Sequence, residues 1–200
     1  MAIDPRFPVR KHIRLRNYDY SAAGAYFVTV CAVDCKPLFG AITADEMQLS
    51  PWGEVVARCW LETPGHFPVV ELDERQVMPN HFHGILVIKS HALAPGPASA
   101  GDLPEVEAEF GKPLAGSLGT IVGAFKSAVT KRVGQREGTR GLSVWQAKFY
   151  DHVVRDENAM NRIREYIATN PLRWHLDRHN PERTGVDEFD SWIDSFVRPS

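Results

Sequence analysis

The run Gly84-Ile85-Leu86-Val87-Ile88 is apolar and rich in branched residues, yet the stretch just ahead of it carries two histidines, His81 and His83. Along a strand, residues i and i+2 face the same side, so the two imidazoles share a face and Phe82 takes the other. A polar pair at the head of an otherwise apolar strand is costly to bury without partners. Two imidazoles on one strand face are a compact bidentate site for a divalent cation. The plainer alternative is a pair of histidines with no metal.

The remaining elements read in order around this strand. Ala25 to Val33 (AYFVTVCAV) is dense in β-branched and aromatic residues and predicts a buried strand. Phe39 to Ile42 and Glu46 to Leu49 predict a short hairpin around Thr43-Ala44-Asp45. Ser50, Pro51 and Glu54 open a helix to about Glu62. Val69 to Val77 is a further strand, separated from the histidine strand by Met78-Pro79-Asn80. Ser117 can cap a second helix from Leu118 to about Val133. A strand lies within Val144 to Val154, and Asp156 caps a third helix from Glu157 to Asn170, stopped by Pro171. Strands and helices mix without strict alternation. The expectation is an α+β, ferredoxin-like βαββαβ sandwich, an antiparallel sheet with helices on one face.

The 200 residues predict a single domain, 1–200. Residues 91–117 hold four Pro, four Gly, six Ala and a lone aromatic, Phe110. That composition is too poor in core residues for a packed element and predicts a flexible insertion. The longest apolar runs are four residues, which excludes a spanning helix of about 20. Charges from Asp4 through Arg16 with no apolar stretch, and three cysteines in no metal-binding pair, predict a cytoplasmic chain.

The net charge of −2 conceals segregation. Residues 1–40 hold six Lys and Arg against three Asp and Glu, and residues 120–175 hold ten against five. Residues 41–119 hold four against eleven, and the segment from about 176 to 200, three against six, predicts an acidic C-terminal tail. A polyanion would meet the first and third blocks. Arg14 and Arg16 precede Tyr18 and Tyr20, while Lys126, Lys131, His152 and Arg155 lie in the third block. Such interleaving suits single-stranded or hairpin nucleic acid, where bases stack and phosphates pair. For any one of these residues a solvated face is the alternative.

Tyr166 and Asn170, four apart in the third helix, point at one region. An amide oxygen can be a hard ligand beside two imidazoles, and a phenol beside a cation can act as a nucleophile. By spacing alone, a core tyrosine and a helix-stopping Asn-Pro are the commoner reading.

Four stretches together resemble the REP-associated tyrosine transposases, single-tyrosine HUH transposases of the insertion-sequence type. They are Ile13 to Tyr20 with Gly24 to Thr29, Val77 to His83 (VMPNHFH), Ser117 to Lys131, and Trp145 through Asp156 to Tyr166-Ile167-Ala168-Thr169-Asn170-Pro171. The resemblance spans roughly residues 10–175, and the MPNHxH and YIxxNP pair in this order is its specific part. It implies an HUH endonuclease fold that acts on single-stranded DNA beside imperfect hairpins, with a short guide tetranucleotide. It further implies that His81, His83 and Asn170 hold Mg²⁺ or Mn²⁺, and that Tyr166 forms a 5′-phosphotyrosine intermediate. Two imidazoles make Mn²⁺ the easier occupant. Tyr150 is the competing nucleophile, in a strand-like segment without an amide or carboxylate partner on a helix. A homodimer is compatible with the family pattern. Two other classes stay open: a non-catalytic binder of DNA hairpins, and a metal-dependent hydrolase using the HxH pair with water. The common barrel of such hydrolases needs about 250 residues.

Overall fold

The computed structural model describes residues 18–89 and 116–195. Arg14, Arg16 and nearly all of the expected insertion at 91–117 lie outside the described residues. The first strand, β1 (Gly24–Cys31), is followed by the hairpin β2 (Gly40–Thr43) and β3 (Glu46–Leu49), then α1 (Pro51–Leu61) and the single turn α2 (Thr63–His66). Next come β4 (Val70–Val77), β5 (His81–Ile88), α3 (Leu118–Arg136), β6 (Tyr150–Val154), α4 (Glu157–Thr169) and α5 (Glu188–Ser195). Without the hairpin and α2, the first six elements read β1-α1-β4-β5-α3-β6. The four long strands form one antiparallel sheet in the order β4-β5-β1-β6. This is the βαββαβ sandwich that the sequence predicts.

The helix caps account for the boundaries. Ser50 Oγ accepts from the Gly53 amide at 3.1 Å, Ser117 Oγ from Thr120 at 3.4 Å and Asp156 Oδ1 from Ala159 at 2.8 Å. The hairpin turn places Ala44 at φ 50° and Asp45 at φ 62°, both left-handed, which matches the twist of two strands joined by two residues.

β1 is buried on both faces because helices lie on both. Tyr26, Val28 and Val30 pack with Phe82 and Leu86 against Val56 and Trp60 of α1 and Ile121, Phe125 and Val129 of α3. Phe27 and Ile85 point the other way, into a smaller core with Ile163, Tyr166 and Ile167 of α4 and Phe189 and Ile193 of α5. The expectation of helices on one face therefore holds for α1 and α3 and is corrected for α4, which covers the opposite face. The physical reason is the apolar content of both faces of β1 and β5, which neither face can leave in water.

The acidic C-terminal segment also differs from a solvated tail. Phe189 and Ile193 are buried against the sheet, and Asp177, Asp187 and Asp190 are buried with them. Arg173 pairs with Asp187 and Arg178 with Asp190, so most of this local charge is neutralised within the segment.

Gly84 shows how closely the first core is packed. A Cβ there would lie 2.6 Å from Trp60 Cζ2 and 2.9 Å from the Phe82 ring. Gly84→Ala is expected to lower stability by about 1–3 kcal/mol, read as a lower urea midpoint at unchanged slope. A midpoint equal to wild type would mean that Trp60 yields without strain.

Candidate metal and catalytic site

The turn Met78-Pro79-Asn80 fixes the start of β5. Its main chain is tied to both neighbours, Asn80 O accepting from Ala32 N at 2.8 Å and Pro79 O from Phe39 N at 3.0 Å. Beyond it, His81 and His83 are both buried on the α4 side, and Phe82 packs in tilted contact with Trp60 and Phe125 on the other. The Asn80 amide nitrogen donates to Cys35 O at 3.1 Å and His179 O at 2.7 Å. Its Oδ1 is therefore the acceptor for His81 Nδ1, 2.9 Å away, and that assignment leaves His81 Nε2 as a bare lone pair.

His83 Nδ1 lies 2.9 Å from Thr29 Oγ1, and the two Nε2 atoms lie 2.9 Å apart. The Thr29 hydroxyl can donate to His83 Nδ1, so that His83 Nε2–H donates to His81. With its rotor turned, Thr29 accepts instead, and both Nε2 lone pairs face a common point. Burial pushes both imidazoles well below their ordinary pKa, with the neighbouring His179 adding to it for His81 and His81 adding to it for His83. Both are neutral, the form that ligates metal.

α4 brings Tyr166 and Asn170 onto this pair. The Tyr166 hydroxyl lies 3.4 Å from His83 Nε2 and 3.4 Å from Asp177 Oδ2. Asn170 Nδ2 donates to Asp177 Oδ2 at 3.0 Å, while Asn170 Oδ1 is buried without a partner. Asp177 Oδ1 accepts from the His179 amide at 2.6 Å, and its Oδ2 stands 3.7 Å from His81 Nε2. Ligand atoms of His81, His83 and Asp177 all lie within 4.8 Å of one another. Two neutral imidazoles, a buried carboxylate and an orphaned amide oxygen form a donor set that fits a divalent cation of the Mn²⁺ type.

Sequence reasoning missed Asp177. The readable signal was Phe189, Trp192 and Ile193, an i, i+3, i+4 apolar pattern that marks the C-terminal segment as packed.

Burial, followed by the charges of Asp177, Asp190 and Asp187, pushes the Tyr166 phenol well above its ordinary pKa. Its ring is stacked on Phe189 at 3.7 Å between centroids. Tyr150, the competing tyrosine, pairs across the sheet with Thr29 and packs with Phe27 and Val154 in the smaller core.

The expected basic contacts scatter. Lys126 Nζ donates to Gln146 O at 2.7 Å and Ala147 O at 2.9 Å, and so anchors the chain leading into β6. Lys131 is exposed and lines a surface cleft of about 440 Å³ with Thr130, Thr139 and Arg140. It belongs to α3, on the face opposite Tyr166. Arg155 is exposed at the start of α4. His152 pairs with Phe27 across the sheet and lies beneath α5, its ring 6.4 Å from Trp192.

A Haemophilus influenzae (strain Rd) protein described as uncharacterized is 38% identical over 173 residues, which are 84% of this chain and 92% of that one. The chain belongs to that protein's family. No family model matches it. The solved structure of a REP-associated tyrosine transposase bound to a REP hairpin superposes with a TM-score of 0.51 at 16% identity, over 80% of this chain and 73% of that one. The chain shares its fold.

Burial, and then the charge of Arg155, lowers the His152 pKa from 6.5 to about 4. The unfolded chain binds the proton more readily between those values, so this contribution to stability is whole above pH 6.5 and is lost as pH falls towards 4. Discounted for partial exposure, the loss is on the order of 2 kcal/mol. His152→Gln is expected to flatten the dependence of Tm on pH across that window. An unchanged slope would place the titration elsewhere.

Proposed function

We propose that this protein is a transposase-like enzyme that cuts and rejoins single-stranded DNA beside hairpins, with Tyr166 as the nucleophile. The observation that carries the reading is the convergence of the Tyr166 hydroxyl with the two imidazoles, Asp177 and Asn170 in one buried site. The shared fold with a hairpin-bound transposase supports DNA as the partner. Nucleophile and ligands lie in the same chain, so one protomer contains a complete site.

A divalent cation, Mg²⁺ or Mn²⁺, held by His81, His83 and oxygens of Asp177 and Asn170 would supply the charge that polarises a phosphodiester oxygen. Tyr166 Oη attacks phosphorus in line with the departing 3′ oxygen. Its bond to phosphorus forms as the phosphorus–O3′ bond breaks, giving a 5′-phosphotyrosine and a free 3′-OH. Asp177 Oδ2, within reach of the phenol, takes its proton, and the departing 3′ oxygen takes up a proton from that carboxyl or from water to become the free 3′-OH. Attack by a second 3′-OH reverses the step and joins a new strand, because the phosphodiester bond energy is retained. The Phe189 stack covers the phenol, so a DNA strand reaches it only once that ring has moved away.

This cover gives specific support to a second reading, a hairpin-binding protein that does not cut. Covalent capture separates the two. A hairpin oligonucleotide with a single-stranded flank, incubated with Mn²⁺ and run on a denaturing gel, is expected to give an adduct that maps to Tyr166. Tyr166→Phe is expected to abolish the adduct and leave hairpin affinity within about twofold. His81→Ala is expected to weaken Mn²⁺ binding by at least about tenfold, measured by calorimetry. Hairpin binding with no adduct from the wild-type protein would establish the binding-only reading, and an adduct at Tyr150 would overturn the assignment of the nucleophile.

Among the expected phosphate contacts that fall within the described residues, Lys131 and Arg155 are the exposed ones. Each phosphate neutralised steepens the fall of log affinity with log salt by roughly 0.7–0.9. Reversing both charges is expected to flatten the slope by about one to two units. An unchanged slope in a salt titration would remove them from the DNA surface.

Among the described residues no helix is long and apolar enough to cross a membrane. Action on DNA in the cytoplasm is the corresponding proposal.

A further inference from the structure

β4 is an edge strand with an irregularity at its centre. Leu72 stands opposite Leu86 and Arg75 opposite Gly84, so two residues, Asp73 and Glu74, oppose Ile85. This bulge restores Val77 to the same face as Val70, and Asp73, one residue on from Leu72, lies on the Ile85 face towards α4. There the Asp73 carboxylate meets Arg164 in a two-pronged pair, Nε to Oδ1 at 2.9 Å and Nη2 to Oδ2 at 2.7 Å. The remaining terminal nitrogen, Nη1, donates to Glu157 Oε1 at 3.1 Å and Asn161 Oδ1 at 2.9 Å on α4 itself. The guanidinium is thus held by its own helix before it reaches across to the sheet, and only a planar fork can make both prongs. Partial exposure of both partners makes the pair a small contributor to global stability. Its effect is geometric.

We propose that Arg164, through Asp73, is a positioning residue that fixes the rotation and height of α4 and so holds the Tyr166 oxygen over the His81–His83 pair. The proposal rests on the reading of Tyr166 as nucleophile. Arg164 is two residues from Tyr166, on a helix whose buried face is Ile163, Tyr166 and Ile167. The fork supplies a directional constraint that apolar packing lacks. In-line attack tolerates little error, and a shift of about 1 Å can cost about a hundredfold in rate.

The test uses the full chain. Arg164→Ala and Asp73→Asn are each expected to slow adduct formation at saturating hairpin DNA by about tenfold or more, with hairpin and Mn²⁺ affinities within about twofold of wild type. Arg164→Lys, which keeps the charge and one prong, is expected to recover part of the rate. The double variant is expected to be no slower than the slower single variant, because each residue acts through the other. A rate within twofold of wild type, a loss confined to DNA affinity, or fully additive losses would each overturn the proposal. Hydrogen exchange gives an arm independent of DNA chemistry. Arg164→Ala is expected to speed exchange of α4 amides by about tenfold while α1 and α3 keep their protection, and unaltered exchange in α4 overturns the latch. If the wild-type protein forms no adduct, the nucleophile reading fails on its own and the exchange result still decides whether Arg164 holds α4.

Discussion

Two uncharged imidazoles buried edge to edge, 2.9 Å apart, set the terms for everything around them. Ring nitrogens in an apolar sheet need polar surroundings, and each neighbouring element brings a polar group to them. β1 contributes Thr29, the β4–β5 turn contributes Asn80, α4 contributes Tyr166 and the C-terminal segment contributes Asp177. Asn80 ties three segments together, orienting His81 of β5 while its amide nitrogen holds the Cys35 carbonyl beyond β1 and the His179 carbonyl of the C-terminal segment. The site is thus a junction of the fold rather than an addition to its surface.

The division of the sheet into two faces separates tasks. α1 and α3 bury the larger core, with Trp60, Phe82 and Phe125 filling it, and impose no chemistry. α4 and α5 bury a smaller one in which apolar residues alternate with the reactive set. Asp177, Asp187 and Asp190 make that side strongly anionic before their pairing with Arg173 and Arg178, and they add to the burial that raises the pKa of the phenol. A dication at the imidazoles opposes the same carboxylates, so the acid-rich surroundings suit a cation and discourage a lone phenolate.

Much of this was legible in the residues, for stated reasons. Ser50, Ser117 and Asp156 announce helix starts by a local hydrogen bond that needs no tertiary context. His81 and His83 share a face by strand geometry, and Tyr166 and Asn170 by helix geometry. What escaped depended on long-range packing. Asp177 follows a short 3₁₀ turn, Trp174–Leu176, and gains meaning only when that turn folds back on β5. An excess of acidic residues at 176–200 read as an acidic tail, yet Asp187 finds Arg173 just ahead of that stretch and Asp190 finds Arg178 within it. Lys126, read as a phosphate contact, also holds main-chain carbonyls, because α3 lies against the loop that enters β6.

The register of β1 has a consequence for how the molecule assembles. Gly24 pairs with Ile88 and Ala25 with Val154, so the central strand must wait for a partner from the middle of the chain and then for one near its end. The cost of closing such loops grows only logarithmically with length, which makes the long stretch between Ile88 and Leu118 tolerable. Late pairing of β6 delays α4, which follows it directly, and α4 carries Tyr166. The larger core is built mostly from β1, α1, β4, β5 and α3, with Val144 and Trp145 added from the stretch that leads into β6. The reactive half is then the last to be acquired, on a scaffold that already exists to receive it.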